Sequence, residues 1–371
     1  MERSSVLVVG GGIGGLAAAV ALRGTGVDVC VLERAEALEP LGAGISLFPN
    51  AVRTLDRIGI RFDHGAMSSG VGNSGVWRSD GTLLVPENRQ QFQRRYGQSL
   101  VVLHRAELQT ALLDAIGDGC LLTGAEVAEL QQDDEGVTAT LTDGSRHRSD
   151  LLVGADGIDS MVRASVLGDG PPGYHGIAAY RGVVAMDLPH RVGEFWGPGG
   201  VFGVVPLSDG HVYWYATQLE HDPNGPPADL EAAFGDWRAP VPTILDRATT
   251  RLRHPLRERP TGVTWTHGRV TLLGDSAHPM LPFLGQGAGQ AIEDAAAFSD
   301  AISTDGAVPA ALQVYEATRR ERAEMLVKRS RAAGRMAHVR SGWQRALRDV
   351  ALRTMPAAVR QHQLDTIIGR A

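Results

Sequence analysis

The chain has 371 residues, 43% of them hydrophobic, with a formal net charge of −6 and a pI near 6.1. That length can bury a sizeable core divided over two domains. The acidic balance excludes nucleic acid as a main partner, since binding phosphates takes a basic surface.

In chain order, Val6–Val9 is a short continuous apolar run, as expected for a strand covered on both faces. A glycine loop follows, then an Ala/Leu-rich helix from about Gly14 to Arg23, ended by Gly24-Thr25-Gly26. Val27–Leu32 is a second apolar strand ending at Glu33, which completes a βαβ unit. The run Val6–Leu22 holds five glycines and lacks a long basic lead, so it reads as strand and helix, not as a signal peptide or membrane span. Val71–Val85, with its Asp80-Gly81 turn, reads as antiparallel strands. Leu151–Gly154 and Val270–Leu273 return to the short buried style. Between them Ala178–Asp187, Gly200–Pro206 and His211–Gln218 alternate as an antiparallel sheet would. Pro309 to about Ala337 reads as an amphipathic helix whose Arg/Glu run is a solvated face.

The fold class is therefore α/β: a Rossmann-like domain interrupted by a mainly antiparallel sheet domain, with C-terminal helices. The expected division is residues 1–72, 101–172 and 263–330 for the first, 73–100 and 173–262 for the second, and 331–371 as a helical segment. Cys30 and Cys120 are the only cysteines, and Cys30 sits in a buried strand, so a disulfide is not expected and a reduced, cytoplasmic compartment fits. Lys328 is the only lysine, which almost excludes lysine chemistry. The chain is expected to be a monomer or homodimer.

The first chemical motif is Gly10-x-Gly12-x-x-Gly15, between a strand and a helix. Its glycines permit a tight turn and close approach of backbone to phosphate, and the helix N terminus offers free N–H groups. Glu33 ends the next strand 21 residues after Gly12, where a carboxylate accepts hydrogen bonds from ribose hydroxyls. Together these mark a dinucleotide site without separating NAD from FAD. No metal motif, GxSxG or Walker A sequence is present.

Two later motifs bear on that choice. Gly154-Ala155-Asp156-Gly157 runs on to Arg163, and Gly274-Asp275-Ser276-Ala277-His278-Pro279 is followed by Pro282–Gly289. With these the whole chain resembles the class A flavoprotein monooxygenases, the para-hydroxybenzoate hydroxylase-like family. The stretch Gly42–Asn50 makes it most similar to the salicylate-, 6-hydroxynicotinate- and urate-hydroxylase-like branches.

The resemblance implies FAD as cofactor, NAD(P)H as a transient co-substrate, and O2. Hydroxylation of an aromatic or heteroaromatic small molecule would proceed through a flavin C4a-hydroperoxide. It places Gly10, Gly12, Ile13, Gly14, Gly15, Glu33, Arg34 and Gly44 at the cofactor. Asp275 is implied at a ribityl hydroxyl, Arg105 at the phosphate and ribityl region, Val127 near the adenine, and Asp156-Gly157 at both FAD and the visiting nicotinamide. Gly285, Gln286, Gly287 and Ala288 precede a helix expected over about Gln290–Ile302, whose N terminus would face the flavin's N1 edge. Pro282 would lie beside the flavin face where oxygen adds.

For substrate, the resemblance points to Tyr213 as an orienting or deprotonating phenol, while Arg181 can neutralise an anionic group. Where the urate branch has an arginine ahead of the strand-ending proline, this chain reads Val204-Val205-Pro206, which implies a more apolar substrate. His278 is expected to shape its turn and not to transfer protons. Two alternatives stay open at this point: an oxygen-independent flavin reductase or dehydrogenase, and a non-catalytic flavin-binding sensor.

Overall fold

The computed structural model of the chain describes residues 5–38, 44–62, 73–117, 119–207, 210–304 and 307–369. Residues 42–43 and 71–72, which entered the readings above, lie outside them. The elements run β1 (Ser5–Val9), α1 (Ile13–Arg23), β2 (Asp28–Leu32), β3 (Gly44–Leu47), α2 (Pro49–Arg57), β4 (Asn73–Arg78), β5 (Leu83–Pro86), α3 (Arg89–Tyr96), β6 (Val101–His104), α4 (Arg105–Ile116), β7 (Leu121–Leu122), β8 (Val127–Gln132), β9 (Val137–Leu141), β10 (Arg146–Ser149), β11 (Leu151–Gly154) and α5 (Met161–Leu167). They continue with β12 (Gly173–Ala185), β13 (Arg191–Gly197), β14 (Gly200–Pro206), β15 (His211–Leu219), α6 (Leu230–Phe234), α7 (Val241–Arg247), β16 (Leu252–Glu258), β17 (Val270–Leu272), 3-10 turns at Gly274–Ser276 and Pro282–Leu284, α8 (Gly287–Ile302), α9 (Val308–Ala337), α10 (Gly342–Thr354) and α11 (Ala357–Ile368).

The apolar runs β1, β2, β11 and β17 join β7 in one parallel sheet of order β17-β11-β1-β2-β7. Val8, Val31, Leu152 and Leu272 are wholly buried there, as a sheet covered on both faces requires. Helix α1 lies against α8 and α4, with Gly14 in its first turn opposite Ala291 of α8. Each fully buried Leu or Val in this core contributes roughly 1.5–3 kcal/mol.

The second sheet has order β16-β12-β15-β14-β13-β4-β5. Its alternation sorts side chains to two faces. Tyr180, Phe202 and Trp214 pack against Phe234 and Ile244 of α6 and α7. Arg181, Tyr213 and Tyr215 point the other way, into the cavity described below. The strand β13 was not anticipated, and it pairs in parallel with β4, so the sheet is mixed and not antiparallel throughout. Also unforeseen were the antiparallel ladder β3–β6 and the three-stranded sheet β10-β9-β8.

Two expectations about helices are corrected. The helix α8 starts at Gly287 and not near Gln290, because Gln286 is its N-cap and the glycines form the first turn. The Arg/Glu run of α9 is not simply a solvated face, since Glu316 and Arg319 are buried. Arg319 donates to Asp294 Oδ1 and Glu293 Oε2 at 2.7 Å each, which pins α9 to α8. The last helix is held to α3 through Asp365, which accepts Tyr96 Oη at 2.9 Å and pairs with Arg95 at 2.6 Å. Cys30 and Cys120 are free thiols.

Candidate active site

The carboxyl ends of the parallel strands open onto a cavity of about 820 Å³ that reaches the inner face of the mixed sheet. Such crevices at strand ends are where α/β sheets bind ligands. Gly12, Ile13 and Gly14 form one rim. Gly10 and Gly15 lie behind it and shape the loop. Gly10 has φ +110°, and a Cβ on Gly15 would collide with the Gly10 carbonyl oxygen, so α1 can begin only where both are bare. No atom lies within 4 Å of the position a Cβ on Gly12 would take, which leaves room for a ligand against the backbone.

Glu33 closes this end. Its Oε2 accepts the Gly11 N–H at 2.6 Å and its Oε1 the Ala35 N–H at 2.8 Å. Both oxygens keep acceptor capacity, since a carboxylate offers about four lone-pair sites. Ala125 N donates to the Glu33 carbonyl at 2.8 Å, which sets Val127 two residues farther along; the Val127 side chain points into the core. Arg34 is exposed.

The two later motifs are wired together. Asp156 caps α5: its oxygens accept Ser160 Oγ at 2.5 Å, Met161 N at 2.7 Å and Ser276 Oγ at 3.1 Å. Its carboxylate is thus occupied by the protein, and it is Gly157 that lines the cavity. Arg163, fully buried, donates to the carbonyls of Ser276 and Ala277 at 3.0 Å each. From the other side Asp294 holds the turn, accepting Gly274 N at 3.1 Å. His278 bonds that same carboxylate, in keeping with a turn-shaping role.

This scaffold aims Asp275 into the cavity. Its carboxylate meets the cavity space while protein surrounds it, so burial pushes its pKa up, opposed by His278 and Arg105. Arg105, the first residue of α4, also lines the cavity; burial lowers its pKa and Asp275 opposes the shift. Gly285, Gly287 and Ala288 line the wall at the N terminus of α8, with Pro282 beside them. Gln286 is buried behind, its Oε1 accepting Asn50 Nδ2 at 3.0 Å.

The opposite wall is the mixed sheet. Arg181 and Tyr213 are both there, together with Tyr215, Glu194 and His254, which the sequence reading did not single out. Burial raises Tyr213's pKa, with Arg181 opposing, so its phenol is a hydrogen-bond donor near neutral pH. Burial, then the charges of Arg181 and Arg105, lowers the pKa of His254. The ring of Tyr213 packs on β3, where a Cβ on Gly44 would come within 2.7 Å of Tyr213 Cδ1. The period-two rule applied to Tyr213 would have found Tyr215; Glu194 lies in β13, whose φ of +103° at Gly193 breaks any regular pattern.

Two helix N termini, Arg105 and an open glycine rim make one polar, anion-accepting wall, facing a sheet wall that sets Arg181, Tyr213, Tyr215, Glu194 and His254 among apolar residues. This arrangement fits FAD: α1 and Arg105 suit a pyrophosphate, and α8 suits the electron-rich edge of an isoalloxazine. Fold and cavity define an FAD-binding protein, and together with its relatives they define the class, an FAD-dependent monooxygenase that uses NAD(P)H and O2. The FAD binding domain family model matches residues 3–330, and the chain belongs to that family. It is 36% identical to the aurachin C monooxygenase/isomerase of Stigmatella aurantiaca, with 95% of this chain and 94% of the relative aligned. It is 33% identical to the 2-heptyl-3-hydroxy-4(1H)-quinolone synthase of Pseudomonas aeruginosa, over 96% of each. Among solved structures it matches Klebsiella pneumoniae HpxO complexed with FAD and uric acid at TM-score 0.90 and 29% identity, covering 98% of this chain and 96% of that one. No helix among the described residues is long and apolar enough to cross a membrane.

Proposed function

We propose that this enzyme hydroxylates a planar, mostly apolar heteroaromatic small molecule held between the flavin and the inner face of the mixed sheet. The observation that carries the reading is that Arg181, Tyr213 and Pro282, brought from distant parts of the chain, line one cavity with the α1 and α8 N termini. The FAD would be held by Gly12–Gly14 and Arg105 at its phosphates, Glu33 and the backbone near Val127 at its adenosine end, Asp275 at the ribityl chain, and Gly285–Ala288 at the ring. In this division of labour segments 1–72, 101–172 and 263–330 carry the cofactor, and 73–100 with 173–262 carry the substrate wall.

When bound, FAD supplies hydride acceptance and oxygen activation. The chain supplies the rest. Tyr213 donates a hydrogen bond to a ring oxygen, and Arg181 favours a carbonyl or developing oxyanion. Val205, in register with Tyr213 on the cavity face, leaves that stretch of wall apolar, which keeps water from the reacting edge. Where the urate branch has an arginine ahead of the strand-ending proline, this wall offers a urate-like ring no cation at that position, whereas the quinolone ring named for one relative suits it. A reducing, cytoplasmic setting suits the two free cysteines.

The test is NADH or NADPH oxidation stimulated by a panel of quinolones, hydroxybenzoates and urate, run under air and under nitrogen, with product mass. A gain of one oxygen atom that requires air is expected. Product formed at the same rate without oxygen would sink the reading.

A further inference from the structure

One row of residues crosses the inner face of the mixed sheet. Arg181 on β12 is in register with Tyr215 on β15, Tyr215 with Gly203 on β14, and Gly203 with Glu194 on β13. A Cβ on Gly203 would collide with the Tyr215 ring, so the bare glycine lets that ring lie across β14. Tyr215 Oη thereby reaches Glu194, donating to Oε1 at 2.5 Å. Trp196 Nε1 donates to Oε2 of the same carboxylate at 2.8 Å.

Glu194 is thus fixed by two neutral donors. Among the described residues no arginine or lysine forms an ion pair with it. The cation behind Trp196, Arg348, stacks on that ring at 5.3 Å and is itself paired with Asp349 at 2.8 Å. A partly buried carboxylate with spare lone pairs and no counter-charge favours a further donor and disfavours an anion. Three strand spacings, about 14 Å between backbones, separate Glu194 from Arg181. Cation and anion therefore sit at opposite ends of one wall, with the Tyr215 ring lying across the floor between them.

We infer that Glu194 is the specificity-determining acceptor of the substrate site, taking a ring or amino N–H of a heteroaromatic substrate while Arg181 faces the carbonyl or oxyanion edge. The inference rests on the hydroxylase reading above and narrows it. Substrates with an N–H on one edge and an oxygen on the other are selected. Their N-alkylated analogues, and rings with a carboxylate at the Glu194 edge, are rejected.

The test uses FAD-loaded full-length enzyme with 4(1H)-quinolone, N-methyl-4-quinolone and salicylate as probes. Dissociation constants come from perturbation of the flavin absorbance, and kcat and KM from stimulated NADH or NADPH oxidation. Wild type is expected to bind the N–H probe about tenfold or more tightly than its N-methyl analogue, as loss of a hydrogen bond to a charged group predicts. Glu194→Gln is expected to shrink that ratio to about threefold or less, mainly through Kd and KM, because its bond to the ring is no longer charge-assisted. Tyr215→Phe keeps the carboxylate and should keep the preference for N–H, which separates recognition from a merely structural hydrogen bond. Flavin content and melting temperature verify that both variants fold.

Equal affinity of wild type for the two quinolones, or full discrimination retained in Glu194→Gln, overturns the inference. Response to salicylate alone overturns it while leaving the hydroxylase reading intact. If no probe binds and the wider aromatic panel stimulates nothing, both fall.

Discussion

His278 Nε2 lies 2.5 Å from Asp294 Oδ2, and that oxygen also accepts the backbone N–H of Gly274. Through this one atom α8 fixes the turn that presents Asp275. Burial raises the pKa of Asp294, but His278 and Arg319 more than offset it and hold it at about 2. Removing the carboxylate takes from buried Arg319 one of its two carboxylate partners and leaves His278 and the Gly274 N–H without their shared acceptor. Asp294→Ala should destabilise the enzyme by about 3–5 kcal/mol, the cost typical of breaking a buried pair. Thermal melting followed by flavin fluorescence would show unfolding and cofactor release moving down together. A melting temperature within a degree of wild type would contradict the role.

Gly15→Ala is expected to give a colourless protein. Its Cβ would occupy the space of the Gly10 carbonyl oxygen, so the loop must open and the α1 N terminus must move away from the ligand rim. Flavin per protein, read from the absorbance ratio of purified enzyme, should fall to a small fraction of wild type. Full occupancy would show that the loop tolerates the shift.

Much of the cavity lining was legible in the sequence, and the illegible part has a physical cause. The glycine loop, Glu33, Arg105 and Gly274-Asp275 have backbone or charge requirements met by few residue types, and these survive as motifs. Arg163, Asp294 and Arg319 act through contacts 113, 20 and 25 residues apart, and no local pattern reports a buried ion network of that kind. Arg319 looked like part of a solvated run because periodicity ranks residues by type, whereas here a charged side chain is buried with its partner. Glu194 was invisible because β13 begins with a glycine-distorted stretch and pairs in parallel with a strand more than a hundred residues earlier.

Asp156 and Asp275 separate scaffold from ligand contact. Asp156→Ala removes a helix cap and the link to Ser276, so roughly 1–2 kcal/mol of stability should go. Nothing among the described residues hydrogen-bonds the Asp275 carboxylate, which faces the cavity. Asp275→Ala should therefore leave the apoprotein's melting temperature nearly unchanged while weakening FAD binding about ten- to hundredfold, as for a hydrogen bond to a charged group. Melting of apoprotein and titration of it with FAD measure the two effects separately. Destabilisation of apo Asp275→Ala as large as that of Asp156→Ala would erase the distinction.

His338 gives the fold an acid-sensitive joint. Its Nδ1 bonds the Gly334 carbonyl at 2.8 Å, so it carries the proton, and Nε2 accepts from Thr217 Oγ1 at 2.9 Å. Burial lowers its pKa below the ordinary 6.5, helped by His175 and Arg348, with the two hydrogen bonds opposing. The folded state then binds fewer protons than the unfolded chain in the window just under 6.5. Stability from neutral His338 is therefore complete above about pH 6.5 and is lost as pH falls through that window toward the folded pKa. In melting curves at pH 7.5, 6.5 and 5.5, wild type should lose stability on acidification more steeply than His338→Gln, which keeps a donor and an acceptor but does not titrate. Since His338 joins the end of α9 to Thr217 of β15 on the cavity side of the sheet, the variant's pH profile of KM should flatten in the same range. Parallel melting profiles for the two proteins would show that His338 titrates alike in the folded and unfolded states.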